Sequence, residues 1–89
     1  MKHNDMHRSA ILERLRCVLD PELDESIVEL GFVESLDLHD DEVEIRLRLP
    51  TAWCSPAFAW MMCEDSRREV LAVDGVRRVT VRLPDHVAG

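Results

Sequence analysis

The stretch that decides the fold is residues 42–56, EVEIRLRLPTAWCSP, because its periodicity changes once along its length. Its first half alternates apolar with charged residues, which predicts a strand with one buried and one wet face. The apolar positions are Val43, Ile45, Leu47 and Leu49, and the charged ones are Glu44, Arg46 and Arg48. Pro50 ends the alternation, and Ser55-Pro56 has the residues of a helix N-cap and first helical position. The stretch therefore predicts a strand that leads directly into a helix.

The flanking segments predict the remaining elements. Residues 7–19 place apolar side chains at helical spacing, with Asp5 or Ser9 as candidate N-caps, and the Asp20-Pro21 pair is expected to end that helix. The stretch GFVESLDLHD, residues 31–40, alternates imperfectly and should form a hairpin with residues 42–49. Residues 56–72 predict a second helix, and residues 76–83, VRRVTVRL, predict a third strand after Gly75.

These elements predict a two-layer α+β domain in the order α–β–β–α–β. The sheet should be a three-stranded mixed sheet with both helices on one face. The first loop should contain one helical turn, capped by Asp24 or Ser26 and ended by Gly31 in a left-handed conformation. We expect a single domain over residues 1–89, with residues 1–6 as a mobile tail.

The composition excludes several classes of protein. The net charge is −7, which disfavours nucleic-acid binding. No apolar run approaches the roughly 20 residues of a membrane helix, and no signal peptide is visible, so we expect a cytoplasmic protein without membrane association. Three cysteines without an export signal argue against a disulfide framework. The absence of a Cys-x-x-Cys pair argues against a structural zinc site built by one chain.

Cys54 is the candidate for chemistry because it directly precedes the predicted start of the second helix. The free N–H groups and the dipole of a helix N-terminus favour a thiolate, which is both a nucleophile and a soft metal ligand. The alternative is that Cys54 is a small buried apolar residue. Cys17 and Cys63 lie within predicted helices, and we expect both to pack in the core.

The acidic segment of residues 20–25, DPELDE, is either a solvated loop or part of the same site. A carboxylate beside a thiolate raises the pKa of the thiol unless a metal or a proton lies between them. If the two meet, a metal is the simpler interpretation, with Cys54 and Glu22 as its candidate ligands.

The second helix is richer in large apolar residues than one buried stripe requires. This excess predicts a partner-binding patch formed by Trp53, Phe58 and Trp60. An alternative function is therefore an adaptor that docks a client while Cys54 is inert. A thiol enzyme would need a positioned base, and the four histidines lie near the ends and in a turn, so we expect no enzymatic activity.

Three segments in order, DPELDESIVELGFV, TAWCSP and LAVDGVRRVTVRL, resemble the metal–sulfur (iron–sulfur) cluster assembly domain family, which includes PaaD-like and SufT-like proteins. The resemblance implies an α+β domain, usually not an enzyme, that helps to mature iron–sulfur proteins or handles iron for a client. The family's acidic motif corresponds to Asp20, Pro21 and Glu22, its threonine to Thr51, and its reactive cysteine to Cys54. Where the family commonly has Gly-Cys-Pro, this chain has Trp-Cys-Ser-Pro.

The cargo and the client follow from this resemblance. The CSPAFAWMM stretch is similar to accessory proteins of bacterial di-iron monooxygenases, which implies that the client is a component of such an enzyme. One cysteine is a weak ligand suited to transient handling of iron or a cluster. A stable cluster needs four ligands, so a homodimer with two Cys54 thiolates, completed by glutathione or the client, is the simplest arrangement.

Overall fold

Two helices and three strands form the fold in a computed structural model that describes residues 2–49 and 56–83, with side chains for residues 8–49 and 57–83. The elements in chain order are α1 (Lys2–Leu15), β1 (Val33–His39), β2 (Glu42–Leu47), α2 (Pro56–Leu71) and β3 (Arg78–Arg82). The predicted α+β class, the element order and the mixed sheet are confirmed.

β2 is the central strand of the sheet, whose order is β1-β2-β3. β1 pairs with β2 in antiparallel fashion and β3 pairs with it in parallel. Parallel neighbours need a crossover connection, and α2 lies in it. On the predicted inward face of β2, Val43, Ile45 and Leu47 are all buried, and Leu49 beyond the strand is buried too.

A β-bulge explains why the alternation in β1 is imperfect. Val33 pairs with Leu47 and Ser35 with Arg46, which leaves Glu34 as the extra residue. The alternation placed Glu34 on the face of Leu36 and Val33 on the other face. In the structure Glu34 is exposed and Val33 packs against the core. That part of the prediction was wrong because the extra residue changes the phase of the strand.

The end of α1 differs from its prediction. The helix begins at Lys2, so Asp5 and Ser9 lie inside it, and it ends at Leu15 rather than near Leu19. The Val18 N–H bonds to the Leu15 carbonyl (3.0 Å), which tightens the last turn. Leu19 then forms an isolated antiparallel bridge with Ser26. Asp20-Pro21 therefore lies in a small hairpin beyond the helix and is not its stop signal.

The core lies between the sheet and the helices. Its fully buried side chains come from α1, the loop after it, β2 and α2; the largest apolar ones are Ile11, Leu15, Val18, Ile27, Ile45, Leu47, Met62 and Val70.

Within residues 2–49 and 56–83, no helix is both long and apolar enough to span a membrane.

Ser66 is a polar exception in this core, and its replacement by alanine should stabilise the protein. The side chain is fully buried in α2, and its hydroxyl oxygen has no hydrogen-bond partner among residues 2–49 and 56–83. Because a buried hydroxyl without a partner is costly and alanine is the better helix former, Ser66→Ala should raise the free energy of unfolding by about 1 kcal/mol. Urea denaturation measures the change. Ser66→Cys, which also removes the hydroxyl but places a larger and less polar sulfur there, is the second variant. A loss of stability in both variants would mean that the hydroxyl makes a hydrogen bond.

Candidate functional site

The acidic segment forms a turn whose conformation is fixed by a buried carboxylate. Asp20 is 1% exposed, and its Oδ1 accepts hydrogen bonds from the backbone N–H groups of Glu22 (2.7 Å) and Leu23 (3.1 Å). The backbone of Asp20 also bonds to that of Asp24 (2.7 Å) and Glu25 (2.9 Å). Asp24 has a φ of +57°, in the left-handed region that aspartate tolerates. The buried carboxylate therefore holds residues 21–25 in one conformation.

The outer side of this turn combines negative charge with apolar surface. Glu22, Asp24 and Glu25 are exposed, and no ion pair in the described part of the chain involves them. The side chains of Leu19 and Leu23 are 46% and 42% exposed. The carboxylate of Glu22 is thus accessible to an external cation or partner.

A second turn, residues 26–31, follows the acidic turn, leads into β1 and lies beside the end of β2. The Ser26 hydroxyl accepts the N–H of Val28 (3.1 Å), so Ser26 rather than Asp24 is the cap, and Gly31 has a φ of +77°. The predicted helical turn and its left-handed end are confirmed. The Phe32 carbonyl then accepts the N–H of Arg48 (2.8 Å), two residues before Pro50. This places the turn beside the segment that leads to Cys54 in the sequence.

Thr51, Trp53 and Cys54 lie outside the described residues, as does the predicted N-cap Ser55. The predicted approach of Cys54 to Glu22 therefore stays a prediction. Among the described residues, no group of three or more His, Cys, Asp or Glu side chains is arranged to hold a metal ion.

The two described cysteines have different environments. Cys17 was expected to pack in the core and is exposed, because α1 ends two residues before it. Cys63 is half-buried and packs against the core, as predicted. Burial, and then the negative charge of Glu64, raise the pKa of the Cys63 thiol to about 11. At neutral pH Cys63 is therefore a thiol and a poor metal ligand.

The exposed face of α2 carries Trp60, the largest exposed apolar side chain among the residues that the structure describes. Trp60 is 66% exposed and Met61 is 43% exposed, whereas Phe58 is half-buried against the core. One turn further, Glu64 accepts two-pronged hydrogen bonds from Arg67 (2.8 and 2.9 Å), which lower the pKa of the Glu64 carboxyl. Trp60 and Met61 thus form an exposed apolar patch with a paired charge beside it.

Sequence reasoning missed Leu19 and Leu23 as exposed apolar residues. A signal in the sequence was available for Leu19, because residues of an extended segment point alternately inward and outward. Val18 and Asp20 are buried on either side of Leu19, so Leu19 points outward. The prediction of a helix through residue 19 hid this alternation.

Comparison with known proteins gives a family match over most of the chain. A family model described as "Iron-sulfur cluster assembly protein" matches residues 8–82. An uncharacterized protein of Methanocaldococcus jannaschii is 32% identical over 79 residues, which cover 86% of this chain and 80% of that protein. An iron–sulfur cluster carrier protein of Deinococcus radiodurans is 35% identical over 74 residues, which cover 83% of this chain. The chain spans only 21% of that carrier's length.

Two solved structures are also similar. A domain of unknown function from Bacillus anthracis superposes with a TM-score of 0.75 at 26% identity, covering 89% of this chain and 74% of that one. A Mycobacterium tuberculosis protein, described as associated with Fe–S complex assembly and repair, gives a TM-score of 0.58 at 28% identity. That match covers 84% of this chain and 65% of the other.

Proposed function

Because this chain belongs to the iron–sulfur cluster assembly protein family, we propose that it binds iron or an iron–sulfur cluster transiently, as cargo, and delivers it to a client metalloprotein. The observation that carries the proposal is the family match over residues 8–82. The similarity to an iron–sulfur cluster carrier protein supports delivery rather than catalysis. On this proposal the chain is a maturation factor and not an enzyme.

The ligand proposed for the cargo is the Cys54 thiolate. Cys54 lies two residues before α2 in the sequence, and the unpaired N–H groups of a helix N-terminus would stabilise its negative charge. Glu22 is the proposed second ligand, since its carboxylate is exposed on a turn of fixed conformation. A stable cluster needs four ligands. Two copies of the chain would supply two thiolates, and the client or glutathione would supply the remaining ligands.

The client is proposed to dock on the face of α2 that carries Trp60 and Met61. Exposed tryptophan on a helix is costly to leave in water and is enriched at the centres of protein interfaces. Trp53 precedes the same helix and is proposed to extend this face, with Phe58 supporting it from the core side. A di-iron monooxygenase component is the proposed client.

Cluster transfer to an acceptor tests the carrier proposal. The chain is loaded anaerobically with ferrous iron and sulfide, desalted and mixed with an apo-ferredoxin or with an iron-free di-iron hydroxylase. We expect the acceptor to be filled faster than by the same amounts of free iron and sulfide, as followed by circular dichroism or recovered hydroxylase activity. Equal rates with and without the chain would reject the carrier role.

The same assay tests the docking face. Trp60→Ser should load cargo like the wild type and deliver it about tenfold more slowly to an acceptor that docks on α2, since a buried interface tryptophan contributes more than 1.4 kcal/mol. Asp65→Ser changes an exposed residue of the same helix and is the matched control. Unchanged delivery by Trp60→Ser would remove this face from the proposal but leave the carrier role intact.

A further inference from the structure

In the part of the chain that the structure describes, the outer edge of β1 is covered by a side chain and not by another strand. β1 lies at one end of the sheet order, so only one of its edges pairs with β2. On the other edge, among the described residues, the Leu36 carbonyl accepts a hydrogen bond from the Arg8 guanidinium of α1 (2.9 Å). Exposed strand edges are templates for pairing with another chain, and natural proteins cover them with charged side chains or bulges.

The two protective features of this edge act on different parts of β1. The bulge at Glu34 disturbs the regular spacing of donors and acceptors in the first half of the strand. From Ser35 to His39 the pairing with β2 is regular, residue for residue, so the outer edge is regular there too. Arg8 engages the carbonyl of Leu36 within this regular stretch, and its removal would leave a strand edge ready to pair.

The side chains of the regular stretch are complementary to a second copy of themselves. Ser35 and Asp37 share the face of the sheet opposite Leu36 and Leu38. The hydroxyl oxygen of Ser35 is buried and has no hydrogen-bond partner among the described residues. In an antiparallel pair of β1 strands centred on Leu36, each Ser35 lies directly opposite Asp37 of the other copy, whose carboxylate could accept the hydroxyl proton once the Ser35 side chain turns out of its buried position.

We propose that the outer edge of β1 is a latent pairing surface for β1 of a second copy, and that Arg8 keeps it closed by occupying the Leu36 carbonyl. Pairing would exchange the bond from Arg8 for backbone hydrogen bonds along the edge. It would also give the Ser35 hydroxyl the partner that it lacks among the described residues. This inference does not depend on the carrier proposal, because neither Cys54 nor any metal takes part.

Sedimentation velocity of the metal-free protein under reducing conditions tests this inference. Arg8→Met keeps the helix-forming tendency of the side chain and removes its donors, so self-association should become at least about tenfold tighter than in the wild type. Arg14→Met is the matched control: Arg14 also lies in α1 and contacts a backbone carbonyl, that of Glu69 (3.5 Å), but not β1. It should associate like the wild type.

A second variant identifies the surface used. Adding Ser35→Asp to Arg8→Met places a carboxylate opposite Asp37 of the other copy, and like charges directly opposite each other destabilise a strand pair. The double variant should lose the gain in association, by about tenfold or more, while circular dichroism shows that it remains folded. An Arg8→Met protein that associates no more tightly than the wild type would overturn the inference. So would association that survives Ser35→Asp, which would indicate another interface such as the Trp60 face.

Discussion

Replacement of Cys54 by serine is expected to abolish the iron–sulfur chromophore that the wild-type chain acquires on anaerobic reconstitution. Serine keeps the size of the side chain but replaces a soft thiolate with a hydroxyl, which is a poor ligand for iron in a cluster. Visible absorbance per chain should fall to the level of a control without protein. The stability of the fold should change little, so thermal unfolding of the apo-protein serves as the check on folding.

The other two cysteines provide matched controls for Cys54→Ser. Burial raises the pKa of the Cys63 thiol to about 11, so the thiol stays protonated near pH 8 and Cys63→Ser should retain the chromophore. Cys17 is exposed beyond α1 and, within the described residues, belongs to no group of three or more potential metal ligands, so Cys17→Ser should retain the chromophore as well. Loss in Cys17→Ser with retention in Cys54→Ser would move the cargo site to the end of α1.

Cys54→Ser also separates the carrier from a pure adaptor. An adaptor that docks its client through Trp60 would keep its effect on the client after this substitution, because docking does not use the thiol. A carrier loses delivery and cargo together. The substitution therefore tests the role of the sulfur independently of where the client binds.

Much of the fold could be predicted because periodicity reports directly on burial. The clean alternation of β2 placed Val43, Ile45 and Leu47 in the core, and Pro56 marked the first residue of α2. The bulge at Glu34 could not be predicted, since an extra residue shows in one sequence only as poor alternation. The end of α1 was misplaced because Val18 and Leu19 continue an apolar spacing that fits a helix and a bridge equally well.

The family could be predicted from the sequence, whereas the candidate site could be predicted only in part. The match over residues 8–82 confirms the resemblance drawn from the acidic motif, the cysteine junction and the last strand. Sequence reasoning placed Asp20 and Glu22 in one acidic loop but could not predict their different environments. Although only Pro21 separates them, the carboxylate of Asp20 is buried and bonded to the backbone, whereas that of Glu22 is exposed. This difference in burial depends on the conformation of the turn, which the composition of the segment does not determine.

The largest loss of stability from a single polar side chain is expected at Asp20. Asp20→Ala removes the acceptor of two backbone N–H bonds in the acidic turn and leaves a small void at a position that is 1% exposed. Hydrogen bonds to a charged group contribute about 1.5 kcal/mol each, so the free energy of unfolding should fall by about 2–3 kcal/mol. In a domain of this size that corresponds to a melting temperature lower by roughly 10 °C or more.

Two further variants identify the cause of that loss. Asp20→Asn keeps an oxygen in the place of Oδ1 and should lose less than half as much, because a neutral acceptor forms weaker bonds. Glu22→Ala, in the same turn but exposed, should change stability by less than about 0.5 kcal/mol. If Asp20→Ala were as mild as Glu22→Ala, the carboxylate would not be what holds the turn.

Hydrogen exchange locates the effect of Asp20→Ala in the chain. The amides of Glu22 and Leu23 should lose their protection first, whereas the protection of the Ile45 amide should fall only as the free energy of global unfolding falls. A turn loosened in this way would still carry Glu22 but no longer present it in one place, so cargo loading should weaken with this variant even where the core remains folded.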